Sequence, residues 1–162
     1  MADKPQTLTL PLLVTRSLVI FPGNQQLIEA GRIFSIKAIH TAREETDCLI
    51  LVATQKEASI EEPEAKDIYN VGTLCRILSV SERDSHIRIR VEILERMTIS
   101  QISVNNGQYL VAEGSVNKLP DTDEITNASI IKAVHKTLEG VPNVFAMMPK
   151  NITNVIARTE SA

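Results

Sequence analysis

The stretch His86-Ile87-Arg88-Ile89-Arg90-Val91-Glu92-Ile93-Leu94 decides the class of fold. Ile87, Ile89, Val91 and Ile93 alternate with His86, Arg88, Arg90 and Glu92. A period of two places apolar side chains on one face of a strand and polar ones on the other. Upstream, residues 71–80 read as the partner strand and residues 81–85 as the hairpin turn between them. Downstream, Met97 and Ile99 keep one face while Ile102 and Val104 keep the other, so a β-bulge is expected around Ser100-Gln101. Asn105-Asn106-Gly107 tolerate positive φ and predict a second hairpin, with Leu110, Ala112, Gly114 and Val116 lining one face of the returning strand.

Toward the N-terminus, residues 7–14 are β-prone. Leu18-Val19-Ile20-Phe21 adds a second short strand or a tight connector, ending at the turn formers Pro22-Gly23-Asn24. Gly31 marks a break after residues 25–30. Ile33, Ile36 and Ile39, with Phe34 and Ala38 beside them, predict an amphipathic helix reaching about Glu44. The unbroken apolar run 48–52 predicts a strand buried on both faces, and residues 55–63 a surface loop. Pro120 ends the β region, and Asp121 with Glu124 has capping-box spacing ahead of a helix carrying Ile131, Val134 and Leu138. Gly140-Val141-Pro142 stops that helix. A last amphipathic piece bears Ile152, Val155 and Ile156 with too few partners to complete a helical bundle, so the chain is expected to stop mid-architecture.

Composition bounds the function. With 162 residues, 43% hydrophobic and 23% charged, the chain is expected to form one globular domain with at most a small appendage. Five aromatics leave few stacking surfaces for bases or sugars. Seventeen Lys and Arg against twenty Asp and Glu give a net charge of −3, which opposes broad phosphate-backbone binding. Cys48 and Cys75 lie in apolar runs outside any CxxC spacing. They point to a reduced, cytoplasmic protein, with a single buried disulfide as the alternative. Arg16-Ser17 interrupts the apolar N-terminal segment before it reaches the length of a signal peptide or a membrane span.

Catalytic and cofactor signatures are missing. No glycine is followed by Lys, so no phosphate-cradling loop exists, and no G-x-G-x-x-G follows a strand. His40, His86 and His135 have no Cys, His or acidic partner at metal-ligand spacing. Glu44-Glu45 and Glu61-Glu62 fall at chain bends, where solvated charge is expected, rather than in an apolar pocket that would raise one pKa. No G-x-S-x-G elbow is present. No cofactor, metal or catalytic residue is assigned, and the chain is not expected to be an enzyme by itself.

Several segments, in order, resemble the N-terminal domain of bacterial Lon proteases. Residues 12–22, Leu-Leu-Val-Thr-Arg-Ser-Leu-Val-Ile-Phe-Pro, are similar to the family's Leu-Pro-Leu-Arg element and its apolar run ending in aromatic-Pro. Gly31-Arg32 with Ser35 resembles the Gly-Arg-x-x-Ser that opens its first helix. Leu51-Val52-Ala53-Thr54-Gln55-Lys56, then Tyr69 with Val71-Gly72-Thr73-Leu74, resemble its Leu-Val-x-Gln-Lys and aromatic-x-x-Gly-Thr segments. Val91 to Arg96 is similar to its Val-x-Gly-x-x-Arg. The resemblance covers roughly residues 8–120 and thins in the helical tail. Val14 stands where the family has its first Pro and Ile93 where it has Gly, so turns shaped by those residues are expected to differ.

The resemblance implies an α+β chain. A PUA-like, partly closed β-barrel with one packed helix would span residues 7–119, and the start of a helical subdomain residues 120–162. It implies the non-catalytic domain of an ATP-dependent serine protease, which helps recognise damaged or unfolded protein and supports a hexamer built by ATPase and protease modules of the same chain. Phe21 and Pro22 in the early turn, and Phe145, Met147 and Met148 between Pro142 and Pro149, are the candidate contacts for such substrates. The ordinary readings compete: a core-facing Phe, a turn Pro, and helix-to-helix packing. The alternatives are a PUA-like RNA-binding module using Arg88 and Arg90, which Glu92 and the net charge oppose, and a stand-alone scaffold docking on a folded protein. The isolated chain is expected to be monomeric or weakly self-associating.

Overall fold

A computed structural model describes residues 7–83, 85–117 and 124–139. The chain divides into two compact units, Met1–Lys118 and Leu119–Ala162. Among the described residues the first unit is mostly β-sheet with one α-helix, and the second contributes one further helix.

In the first unit the strands are β1 (Thr7–Thr15), β2 (Gln25–Ala30), β3 (Leu49–Thr54), β4 (Val71–Arg83), β5 (His86–Asn105) and β6 (Tyr109–Asn117), with α1 (Ile33–Glu45) between β2 and β3. They pair in the order β2-β5-β4-β3-β1-β6, and β6 pairs again with the distal half of β5. Only β1 and β3 run parallel, Leu12 opposite Leu51 and Thr15 opposite Thr54. That parallel pair requires a crossover, which β2 and α1 supply.

Side chains alternating through the sheet feed two cores. Ile50 and Val52 of β3 enter one, with Leu13, Ile39 and Ile87 to Ile93 at alternate positions. Leu51 and Ala53 enter the other, with Leu12, Met97, Leu110 and Ala112. Burial on both faces explains the unbroken apolar run that marked β3. Val14 and Ile93, whose departure from the family pattern was expected to alter turns, are instead buried inside strands.

Irregularities in β5 decide what each face carries. The ladder with β4 passes from Leu74–Glu95 to Cys75–Ile93, skipping Leu94. One extra residue reverses the alternation. Ile93 therefore faces the first core while Met97 and Ile99 face the second, and Arg96 and Thr98 lie on the face opposite Met97. The expected bulge at Ser100 is present as a register shift between Ile99 and Gln101. The Asn106-Gly107 hairpin forms with φ of 48° and 67°.

Elsewhere the pairing corrects one expectation and settles segments that the sequence left open. Residues 81–83 belong to β4, because Arg83 pairs with His86 and the turn is shorter than 81–85. Residues 25–30 form a strand despite little β-branched or aromatic content, since β5 supplies a complete ladder for them. Leu18–Phe21 is a connector without strand structure, the second of the two readings its sequence allowed. Val104 is half exposed.

Helix α1 lies where expected but buries Ser35, Ala38, Ile39 and Ala42, leaving Ile33 71% and Phe34 42% exposed. Isoleucines three apart drift by about 60° per step around a helix, so Ile33 cannot share the face of Ile39. Small residues at 35, 38 and 42 instead let the backbone approach the sheet.

Cys48 and Cys75 are free thiols. Helix α2 (Glu124–Glu139) forms in the second unit, with Ile131 half-buried and Val134 47% exposed. Asp121, and the segment bearing Ile152, Val155 and Ile156, lie outside the described residues. No described helix is long and apolar enough to cross a membrane.

Candidate functional site

The connector after β1 is held by threonines. The Thr15 and Thr54 hydroxyls each donate to Leu18 O at 2.7 Å, and the Thr73 hydroxyl donates to Ile20 O at 3.2 Å. Beyond it, Gly23 N–H donates to Ile93 O at 3.1 Å and Ile93 N–H to Asn24 O at 2.9 Å. The segment thus sits in an extended path without a strand ladder, its carbonyls satisfied by side chains from β1, β3 and β4.

Pinning sets the side-chain directions. Leu18 and Ile20 pack on the first core, whereas Val19 is 58% and Phe21 55% exposed. Arg96, turned to this face by the bulge at Leu94, carries its guanidinium carbon 5.3 Å from the centre of the Phe21 ring, a cation–π contact. Arg96 pairs with Thr73 and Val71 with Thr98, so Val71 shares the face on which the connector lies, and it too is exposed. Tyr69, just upstream, is half exposed. The arrangement is a fixed apolar surface with a cation at its edge.

Among the sequence candidates, Phe21 is exposed and Pro22 half-buried at the turn. Phe145, Met147 and Met148 lie outside the described residues. Val19, Val71 and Arg96 were missed. The signal for Val19 was available: Leu18 and Ile20 alternate with Val19 and Phe21, and a segment that buries one pair turns out the other.

A second feature adjoins α1. Arg32, its N-cap, donates from Nη2 to Gln55 Oε1 at 2.9 Å and to Ile60 O at 3.1 Å. Gln55 is only 2% exposed and donates from Nε2 to the carbonyls of Glu57 and Ile60. The 55–63 loop is exposed along most of its length, as expected of a surface loop, and it folds around the buried Gln55 amide. Burial lowers the Arg32 pKa, nearby Arg16 adds to this, and Glu61 opposes it. A cavity of about 400 Å3 lies beside Arg32, floored by Leu12, Val14 and Leu110 and edged by Phe34, Glu61 and Pro63.

Chemistry is sparse elsewhere. Among the described residues no group of His, Cys, Asp and Glu is placed to hold a metal. Burial pushes the Cys75 thiol up to about 12, far from a reactive thiolate. Glu61 pairs with Arg16 at 2.8 Å on the surface, and Glu29 pairs with Arg88, so the charge of Arg88 is largely offset.

Comparison with known proteins agrees with the resemblance read from the sequence. The family model of the ATP-dependent protease La (LON) substrate-binding domain matches residues 9–160. The Lon protease of Buchnera aphidicola subspecies Schizaphis graminum is 29% identical over 162 residues, 99% of this chain and 21% of that protein. The Lon protease of Aquifex aeolicus is 33% identical over 133 residues, 80% of this chain and 17% of that protein. The chain therefore spans about a fifth of the length of these relatives. A solved N-terminal domain of Mycobacterium avium complex Lon protease superposes with a TM-score of 0.67 at 16% identity, covering 94% of this chain and 76% of that one. A Lon N-terminal domain protein from Xanthomonas campestris gives 0.54 at 18% identity, over 72% and 63%. On the family match, the chain belongs to the LON substrate-binding domain family.

Proposed function

We propose that this chain is the recognition part of a cytoplasmic ATP-dependent Lon protease: it holds exposed segments of damaged or unfolded protein and catalyses nothing itself. Unfolding and peptide hydrolysis belong to ATPase and protease modules of the longer protein, and the domain supports the hexamer that those modules build. In this reading residues 7–119 are a PUA-like, partly closed β-barrel, and residues 120–162 begin a helical subdomain. Phe21 and Pro22 contact substrate, with Phe145, Met147 and Met148 as a second apolar contact inferred from sequence.

The observation carrying the proposal is the exposed Val19–Phe21 pair on a segment fixed through Leu18 and Ile20. Unfolded chains differ from folded ones by exposing apolar side chains, and a preorganised apolar surface binds them without first paying to order itself. Arg96 at the edge adds attraction for aromatic or acidic neighbours in the bound segment.

The test is equilibrium binding of reduced, carboxymethylated lactalbumin against the same protein in its native form. Binding of the unfolded form alone is expected. Equal binding of both forms would mark a docking scaffold instead. A structured RNA bound with steep salt dependence would mark a nucleic-acid module.

A further inference from the structure

We infer that strand β2 presents a backbone rail on which an extended polypeptide segment adds as a further strand. This deepens the reading above, on which it rests, by naming how an unfolded segment is gripped. β2 stands at the end of the strand order and pairs through all six residues with β5 alone. The bond from Ile93 N–H to Asn24 O fixes the phase of this ladder. In an antiparallel pair, alternate residues turn their backbone groups toward the partner. Gln26, Ile28 and Ala30 therefore face β5, while Gln25, Leu27 and Glu29 turn N–H and C=O away from it. The carbonyl of Leu27 agrees: its contact is the Gln26 side-chain amide at 3.3 Å, not a backbone donor. Among the described residues no backbone partner serves the outer groups of Gln25, Leu27 or Glu29.

A concavity of about 270 Å3 opens beside this edge, bounded on one side by residues 27–32 and on the other by residues 13–18, with Leu13, Leu18 and Leu27 giving it apolar walls. A second copy of the chain would have to bring β5 and its own flanking segment into the same space, so a lone extended segment is the occupant. Main-chain pairing reads no side-chain sequence, which suits ligands that share only the lack of a fold. The turn Pro22-Gly23-Asn24 leads directly from the exposed Phe21 into this edge, so a segment resting on one can continue along the other.

The test uses Leu27→Pro and Leu27→Ala in the 162-residue chain, titrated with reduced, carboxymethylated lactalbumin. Proline removes an outward N–H that the β2–β5 ladder does not use, a position where strands tolerate it. A loss of roughly tenfold or more in affinity is expected for Leu27→Pro, and a clearly smaller loss for Leu27→Ala. Equal losses would overturn the rail in favour of a side-chain contact. Amide hydrogen exchange on the unmodified chain decides the matter if Leu27→Pro misfolds. The probe should slow exchange at Leu27 and Glu29, and protection confined to residues 18–21 would overturn the inference. Concentration-dependent dimerisation abolished by Leu27→Pro, without a change in probe affinity, would also overturn it by assigning the edge to a second copy. If the unmodified chain fails to bind the probe, the functional reading itself falls; binding unaffected at β2 removes this inference alone.

Discussion

Arg32 Nη2 reaches Gln55 Oε1 across 2.9 Å, tying the N-cap of α1 to the first residue beyond β3. Both residues stand in segments that resemble the family pattern, and the fold brings those segments together. Removing the Gln55 side chain leaves the Ile60 carbonyl with one donor fewer and strands part of Arg32. Gln55→Ala should therefore cost about 2 to 3 kcal/mol in urea unfolding. It should also speed amide exchange through residues 57–63. Full stability with an unchanged loop would remove the network from the account.

Gly114 of β6 sits against the bulged part of β5, where an added Cβ would collide with the backbone carbonyl oxygen of Thr98. Backbone cannot move aside as a flexible side chain can. Gly114→Ala should destabilise the chain by about 2 to 3 kcal/mol, read as a lower urea midpoint at unchanged slope. Gly107→Ala, with open space around it, should cost less and only through its φ of 67°.

Burial raises the Cys75 thiol from its ordinary value of 9.0 to about 12. Between those values the unfolded chain gives up a proton that the folded chain keeps. Stability contributed by this group is therefore intact below about pH 9 and declines as pH rises toward 12, by at most about 1.4 kcal/mol per pH unit. Comparing urea unfolding at about pH 8 and about pH 10, the decline should be shallower in Cys75→Ala than in the parent chain. Parallel declines would show that the thiol is not protected.

How much of this could be read beforehand depended on how local the cause was. The alternation 86–94, the apolar run 48–52 and the Ser100 bulge each follow from side-chain period, which a sequence displays directly. The exposed face of α1 was misjudged because isoleucine spacing suggested a stripe that helical geometry disperses. Strand β2 escaped because its stability comes from the β5 ladder, not from Gln25, Gln26 or Glu29 themselves. The placement of Arg96 over Phe21 depended on one extra residue at Leu94, a register effect visible only when both strands are paired. Phe21 was singled out by its motif; its exposure follows from three threonine hydroxyls that the sequence does not connect to it.

The most direct measurement is the affinity of the double variant Val19→Ser, Phe21→Ser for reduced, carboxymethylated lactalbumin, with thermal unfolding recorded alongside. Both side chains are more than half exposed, so stability should stay within about 0.5 kcal/mol of the parent chain. A loss of roughly tenfold or more in affinity is expected, since two apolar side chains leave the contact. Undiminished affinity in a normally folded double variant would contradict it.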